Sequence, residues 1–358
     1  MGDPKVHWKP YIMALMKTSE PPPLSAHVPT FVNFDALKSS QPEVIKRVLL
    51  RYRSCMPDCV PPVLPPKRIP KIELRLRAGC TKPRPSPPYR HLASDAADIE
   101  RQLGELYAAG LITPVACEPH AAQLVPAAFL VAKKGTAKKR LVIDYRAVNE
   151  VLEVPPVILP DTRVTLDVLR GARYYATLDL RSAFWQLLLE GGQELTTFLA
   201  PGGQRYQWEI LPFGISPAPA LCQAAIGHAL VGLLFNTCIL YLDDILLWAS
   251  TMEELASKLD TVLSALHQQG FFVSPEKCSI GQEVIAFLGH TLGPHGMSVS
   301  ADKVSAIRAI PTPRTPKEVR AFIGALNFHA ESIPSWQRIL MPLNKLTSTK
   351  AKRIELTK

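Results

Sequence analysis

Three aspartates stand at the ends of apolar runs, where carboxylates are costly to keep. Asp179 sits in YATLDL, and the adjacent pair Asp243-Asp244 closes ILYLDD. Each run reads as a buried strand, so each carboxylate is carried by a rigid element. The chemistry that wants such a set is two-metal phosphoryl transfer. There, two Mg²⁺ ions about 3.5–4 Å apart bind the attacking and the leaving oxygen. Magnesium takes oxygen ligands and is usually held by a few carboxylates plus substrate phosphates. Strand ends suit that task, because a small displacement is expensive in rate. An aromatic-x-Asp-Asp tetrad alone is weak, since many chains contain one by chance. Asp179 on a second strand strengthens it. Residues 231–249 are nearly long enough to span a bilayer, but two aspartates in their middle make that very costly.

The elements that would position these groups are legible in part. Residues 94–110 carry Ile99, Leu103, Leu106 and Tyr107 on one helical face, with Gly110 as a stop. AAFLVAKK and KRLVIDYR, separated by Gly135-Thr136, predict a hairpin. Residues 172–180 predict the strand that ends on Asp179. Residues 217–234 are small and apolar and predict a buried helix. Residues 237–248 predict two strands folded about Asp243-Asp244. Thr251 with Glu254 forms a capping box ahead of a stripe of Leu255, Leu259, Val262, Leu263 and Leu266, which is a core face. A second box, Thr315 with Glu318 and Pro316 at the first helical position, precedes Val319, Phe322, Ile323 and Leu326.

The chain has 358 residues, 47 % of them hydrophobic and 20 % charged, which is a globular composition. Its formal charge is +10, a surplus that favours polyanions such as nucleic acid or an acidic membrane face. Residues 311–358 hold nine Lys or Arg against three acids, so more than half of that surplus lies there. A solvated face and a nucleic-acid-tracking face both fit. Of 34 prolines, 17 fall within residues 1–90, and this stretch predicts an arm or linker with short ordered pieces such as 44–52. Seven scattered cysteines argue against a disulfide framework, and Cys55 with Cys59 lacks the second pair that a structural zinc site needs. The N-terminus MGDPKVHWKP shows neither an apolar signal core nor a myristoylation pattern, since position 6 is Val.

The segments around the aspartates come in a characteristic order: LVIDYRAVNE (141–150), LDLRSAFWQLLL (178–189), LPFGISPAPALCQ (211–223), YLDDILLWAS (241–250), FFVSPEKC (271–278), FLGHTLGPHGMSV (287–299) and PTPRTPKEVRAFIGALNF (311–328). From about Leu49 onward the chain resembles the reverse transcriptase (RNA-directed DNA polymerase) of gypsy-type long-terminal-repeat retrotransposons and, more distantly, retroviral pol polyproteins. The resemblance implies an α+β right-hand polymerase. Its parts would be a Pro-rich extension (1–85), fingers and palm with an antiparallel palm sheet (86–290), and a thumb (291–358) that stops before a ribonuclease H domain.

By the same resemblance, Asp179, Asp243 and Asp244 are the catalytic carboxylates. Together with Leu180 they make up the metal site for two Mg²⁺ ions, for which Mn²⁺ can substitute. Arg140, Lys134 (or its neighbour Lys133), Phe184, Phe213, Gly214 and Tyr241 form the nucleotide site. Phe184 there excludes a ribose 2′-hydroxyl, the group that distinguishes RNA from DNA precursors. Phe184 and Tyr241 also suit plain core, and Lys134 a solvated hairpin tip. Phe287, Leu288 and Gly289 hold the primer end, and Lys317 with Arg320 meets the primer–template. The implied partners are an RNA or DNA template with its primer and dNTPs, with no membrane, and ribonuclease H and integrase as covalent neighbours in a parent polyprotein. The implied location is the cytoplasm or virus-like particles, with nuclear access open.

Two departures stand out. The family's Ser-Gly-Tyr-His-Gln reads Ser182-Ala183-Phe184-Trp185-Gln186, and Asn327-Phe328-His329 replaces a common Tyr-Tyr-Arg. No protease signature, zinc finger or integrase triad is found in the chain. The alternative reading is a catalytically weak or inactive retroelement-derived nucleic-acid-binding protein. A third, an interaction protein using the Pro-rich arm, rests on residues 1–85 alone.

Overall fold

The apolar runs in AFLVA and KRLVI pair as the two antiparallel strands the sequence predicts. A computed structural model describes residues 33–58, 64–80, 91–116, 126–132, 139–157, 168–169, 171–288, 290–293, 296–299, 301–327 and 335–347. The chain separates into two compact units. One comprises residues 30–168 and 176–281; the other includes 169–175 and the chain from 282 onward.

The first unit begins with two short helices, α1 (Phe34–Ser39) and α2 (Glu43–Arg51), followed after a gap by α3 (Ala93–Ala108). Strands β1 (Ile112–Val115), β2 (Ala128–Ala132) and β3 (Lys139–Ile143) come next, and then the one-turn helix α4 (Arg146–Asn149). After β4 (Tyr174–Asp179) come β5 (Phe198–Leu199), β6 (Arg205–Trp208), α5 (Ala218–Ala229), β7 (Cys238–Tyr241), β8 (Asp244–Ala249), α6 (Met252–Gln268) and β9 (Ser279–Gln282). β2 and β3 pair antiparallel from Ala128↔Ile143 to Ala132↔Lys139. β1, β6 and β5 form a second sheet, and β7-β8-β4-β9 a third, with β4 at an inner position.

The predicted helix over 217–234 is shorter, ending at Ala229. Gly232 sits at φ +81 and Phe235 at φ +66, so the chain turns there instead of continuing. The predicted α6 stripe is fully buried, at 0 % exposure for Leu255, Leu259, Val262, Leu263 and Leu266. Each such side chain stabilises the fold by about 1.5–3 kcal/mol. Thr251 caps the helix by accepting from the Glu254 amide.

The described pieces of the proline-rich segment are not peripheral. Helix α2 packs on α6. Phe34, Leu37, Ile45, Leu49, Met56 and Ile72 are among the most buried side chains of the molecule. Among the described cysteines, Cys55, Cys80, Cys222, Cys238 and Cys278 are free thiols. The described residues hold no helix long and apolar enough to cross a membrane, and residues 238–241 and 244–249 are strands.

The second unit holds a three-stranded antiparallel sheet of β10 (Ile285–Phe287), β11 (His290–Gly293) and β12 (Gly296–Val299). It also holds helices α7 (Ala301–Ala309), α8 (Pro316–Asn327) and α9 (Trp336–Lys345). Ile307, Val319, Phe322, Ile323, Leu326, Trp336, Ile339 and Leu343 form its core. The Thr315–Glu318 box forms as read. The Glu318 amide donates to Thr315 Oγ1 at 3.2 Å, and Glu318 Oε2 accepts from the Arg314 amide at 2.7 Å.

Candidate active site

The two carboxylate-bearing strands end side by side because β4 and β8 are neighbours in one sheet. Asp179 is the last residue of β4, and its carbonyl accepts from the Ser274 amide at 2.8 Å. The next residue, Leu180, is buried and bridges to Val273. On the other arm, Tyr241 pairs with Asp244. The tight turn is therefore Leu242-Asp243, one residue earlier than the sequence suggests, and Asp244 already belongs to β8. Leu242 takes φ +58, a left-handed conformation that costs a branched side chain about 1–3 kcal/mol. Its amide donates to Gln223 Oε1 at 3.3 Å, so a side chain of α5 braces the strained turn.

The three carboxylates feel one another. Burial pushes the Asp244 carboxyl up to about 6, helped by the charges of Asp243 and Asp179 and opposed by Lys277. Asp179 is also raised, by burial first and by Asp243 and Glu276 further, while Lys277 pulls it back. The Lys277 ammonium lies 3.0 Å from Asp179 Oδ1. Among the described residues no three His, Cys, Asp or Glu side chains close into a metal cage. An all-carboxylate donor set is the chemistry of Mg²⁺ sites completed by substrate phosphates. The residues fit that ion.

A turn with Ser182 at φ +48 and a 3₁₀ segment, Ala183–Gln186, follows Asp179. It lifts Phe184 to within 5.1 Å (ring centroids) of Phe213, and Trp185 lies 5.8 Å from Phe213 and 5.9 Å from Trp208. Phe213 is 50 % exposed, a large apolar ring facing solvent beside the half-buried Phe184. Gly214 has φ +91, which explains a glycine there. Asn149 clamps this loop: its Nδ2 donates to the Gly214 carbonyl at 2.9 Å, and its Oδ1 accepts from the Ser216 amide at 2.8 Å.

Arg140 is exposed on β3 opposite Val131. Lys133, Lys134 and Gly289 lie outside the described residues. Phe287 is buried at the end of β10, and Leu288 begins the hairpin turn at φ +51. Lys317 and Arg320 are exposed on α8, away from its buried face of Val319, Phe322 and Ile323. Sequence reasoning did not single out Asn149, Gln223 or Lys277. All three lie inside the quoted motifs, but their partners are 65, 19 and 98 residues away.

Residues 131–292 match the family model described as reverse transcriptase (RNA-dependent DNA polymerase). The retrovirus-related Pol polyprotein from transposon opus of Drosophila melanogaster is 28 % identical over 280 residues, covering 77 % of this chain and 27 % of that polyprotein. The enzymatic polyprotein of cauliflower mosaic virus (strain Strasbourg) is 30 % identical over 261 residues, covering 72 % and 37 %. The chain thus spans about a quarter to two fifths of these relatives. In three dimensions it is similar to a foamy viral protease-reverse transcriptase in complex with double-stranded DNA, with TM-score 0.72, 24 % identity, and coverage of 94 % of this chain and 59 % of that one. The same viral protein bound to an RNA/DNA hybrid gives TM-score 0.69. The fold is that of a right-hand polymerase.

Proposed function

We propose that this chain, whose residues 131–292 are a reverse transcriptase domain of the retrotransposon pol type, is an RNA-directed DNA polymerase that adds dNTPs to a primer 3′-hydroxyl. The observation that carries the reading is the meeting of Asp179 and Asp243-Asp244 at the ends of neighbouring strands. Asp179 and Asp243 are the principal metal ligands, with Asp244 completing the acidic centre and Leu180 beside it. When bound there, two Mg²⁺ ions supply activation of the attacking hydroxyl and neutralisation of the departing pyrophosphate.

The chain's own groups do the rest by positioning and charge. Lys277, 3.0 Å from Asp179 Oδ1, would have to release that oxygen for a metal ion to take it. Phe184 stands where a 2′-hydroxyl would project. Phe213 and Gly214, held by Asn149, meet the base pair being formed, and Tyr241 braces the site from β7. Arg140 and Lys134 offer donors to the triphosphate, a task for which the arginine fork suits phosphate oxygens. Phe287, Leu288 and Gly289 hold the primer end, and Lys317 and Arg320 meet the nucleic-acid backbone. In this reading residues 86–290 are fingers and palm, 291–358 are thumb, and ribonuclease H and integrase are neighbours in a parent polyprotein. The viral relative's complexes with dsDNA and with an RNA/DNA hybrid support a primer–template partner.

The test is extension of oligo(dT) on poly(rA) with dTTP and Mg²⁺, wild type beside Asp243→Asn. The expected result is extension by the wild type and a loss of three orders of magnitude or more, on the order of 4 kcal/mol in the barrier, in the variant. A wild type that binds the primer–template without extending it would establish the binding-only alternative. Failure to bind would remove the nucleic-acid assignment.

A further inference from the structure

Arg68 is a buried cation in the proline-rich segment, 5 % exposed, whose contacts are carbonyls and a ring. Its Nε and Nη2 donate to the Gln186 carbonyl at 3.3 and 3.1 Å, and Nη2 also donates to the Gly270 carbonyl at 3.1 Å. The guanidinium lies 3.8 Å from the Phe271 ring centroid. Nη1 is buried with no hydrogen-bond partner. Burial pulls the guanidinium down to about 10, so it is still charged at neutral pH. Burying a cation this way costs free energy, and it asks what the charge maintains there.

The answer lies in what Gln186 holds. Gln186 is 3 % exposed. Its Nε2 donates to the Arg181 carbonyl at 2.7 Å and the Phe272 carbonyl at 2.8 Å, and its Oε1 accepts from the Phe272 amide at 2.7 Å. The Arg181 amide in turn donates to the Phe272 carbonyl at 3.0 Å. The turn that carries Phe184 is thus tied by Gln186 to the segment that pairs with Leu180 and caps the Asp179 carbonyl. Gln186 ends the 3₁₀ segment, where a carbonyl has no partner within the segment. Arg68 supplies that partner and also bonds the Gly270–Phe272 stretch, at the Gly270 carbonyl.

We infer that Arg68 is a positioning residue for nucleotide selection: from outside the matched reverse transcriptase segment it fixes the Ala183–Gln186 turn, and with it Phe184, relative to Asp179. The inference rests on the polymerase reading above. Its mark is the selectivity ratio, the efficiency of dTTP over UTP incorporation, which does not depend on the fraction of enzyme that is folded. Displacing a positioning group by about 1 Å can cost about a hundredfold, and we expect Arg68→Met to lower the ratio about tenfold.

Single-nucleotide extension by Arg68→Met, Arg68→Lys and Lys67→Met decides it. Lys67 is the exposed neighbour, 3.7 Å from Glu190, and its variant should keep the wild-type ratio. Arg68→Lys keeps the charge but loses the fork, and should fall between wild type and Arg68→Met. A wild-type ratio in Arg68→Met, with activity lost only in proportion to folded protein, overturns the inference. If Arg68→Met is insoluble, an unchanged ratio in Arg68→Lys overturns it equally. A wild type that does not extend at all would sink the polymerase reading instead.

Discussion

Phe184 owes its half-buried position to a turn. Ser182 at φ +48 breaks the strand after Asp179, and the 3₁₀ segment then leaves the ring half-buried against Phe213. A core phenylalanine would be enclosed on all sides. Phe184→Val removes the ring while keeping an apolar group, so space opens for a 2′-hydroxyl. The expected outcome is a rise of about 10–200-fold in UTP incorporation relative to dTTP, the range a pocket of changed apolar volume gives. Single-nucleotide extension measures it, and an unchanged ratio would move the discriminating contact to another side chain. At this scale the three aspartates were legible because a carboxylate ending an apolar strand needs a reason. Asn149, Gln223 and Lys277 were not, because an amide or ammonium carries no local sign of a partner far along the chain.

Among the elements, helix α6 shows most directly how local sequence becomes stability. Thr251 caps its first turn, and Glu254 reaches back to the Ser250 amide at 2.8 Å while pairing with Lys258 at 2.9 Å. The Ser250 bond, and then Lys258, hold the Glu254 carboxyl below its ordinary value of 4.5. A lowered carboxylate stabilises the fold fully above the ordinary value, and the gain is lost as pH falls through the folded-state value. Glu254→Gln should therefore cost about 0.5–1 kcal/mol at pH 7, and the gap should narrow as pH falls below the ordinary carboxylate value. Urea midpoints of both proteins at pH 7, 5 and 3.5 test this; a gap that does not narrow between pH 5 and pH 3.5 would mean that the charge is not its source. Both capping boxes, the β2–β3 hairpin and the α6 stripe were legible because each is written within one short window. The end of α5 at Ala229 and the Leu242-Asp243 turn were not, because Phe235 and Leu242 take left-handed φ values that their residue types ordinarily avoid. The burial of Phe34, Ile45 and Ile72 was hidden likewise, since a proline-rich context says nothing of what a distant helix will cover.

For the molecule as a whole, charge decides partners and the fold decides where the charge sits. The +10 surplus is uneven, and residues 311–358 carry more than half of it. On α8 the apolar face closes the core of its own unit, which leaves Lys317 and Arg320 in solvent. Cations so exposed gain little from the fold itself, since exposed charges contribute about 0–1 kcal/mol each. Against a phosphate backbone each would release a counterion. The affinity for primer–template should then fall linearly on a log–log plot against salt, with a slope of about −0.9 per phosphate neutralised on duplex DNA. Lys317→Met and Arg320→Met should each flatten that slope by about 1. They should weaken binding by a similar factor for every sequence, because backbone contacts carry no base information. Fluorescence anisotropy of a labelled primer–template between 50 and 200 mM salt provides the measurement. A slope unchanged in both variants would show that α8 presents only a solvated face, and the template track would have to be sought on other basic surfaces of the chain.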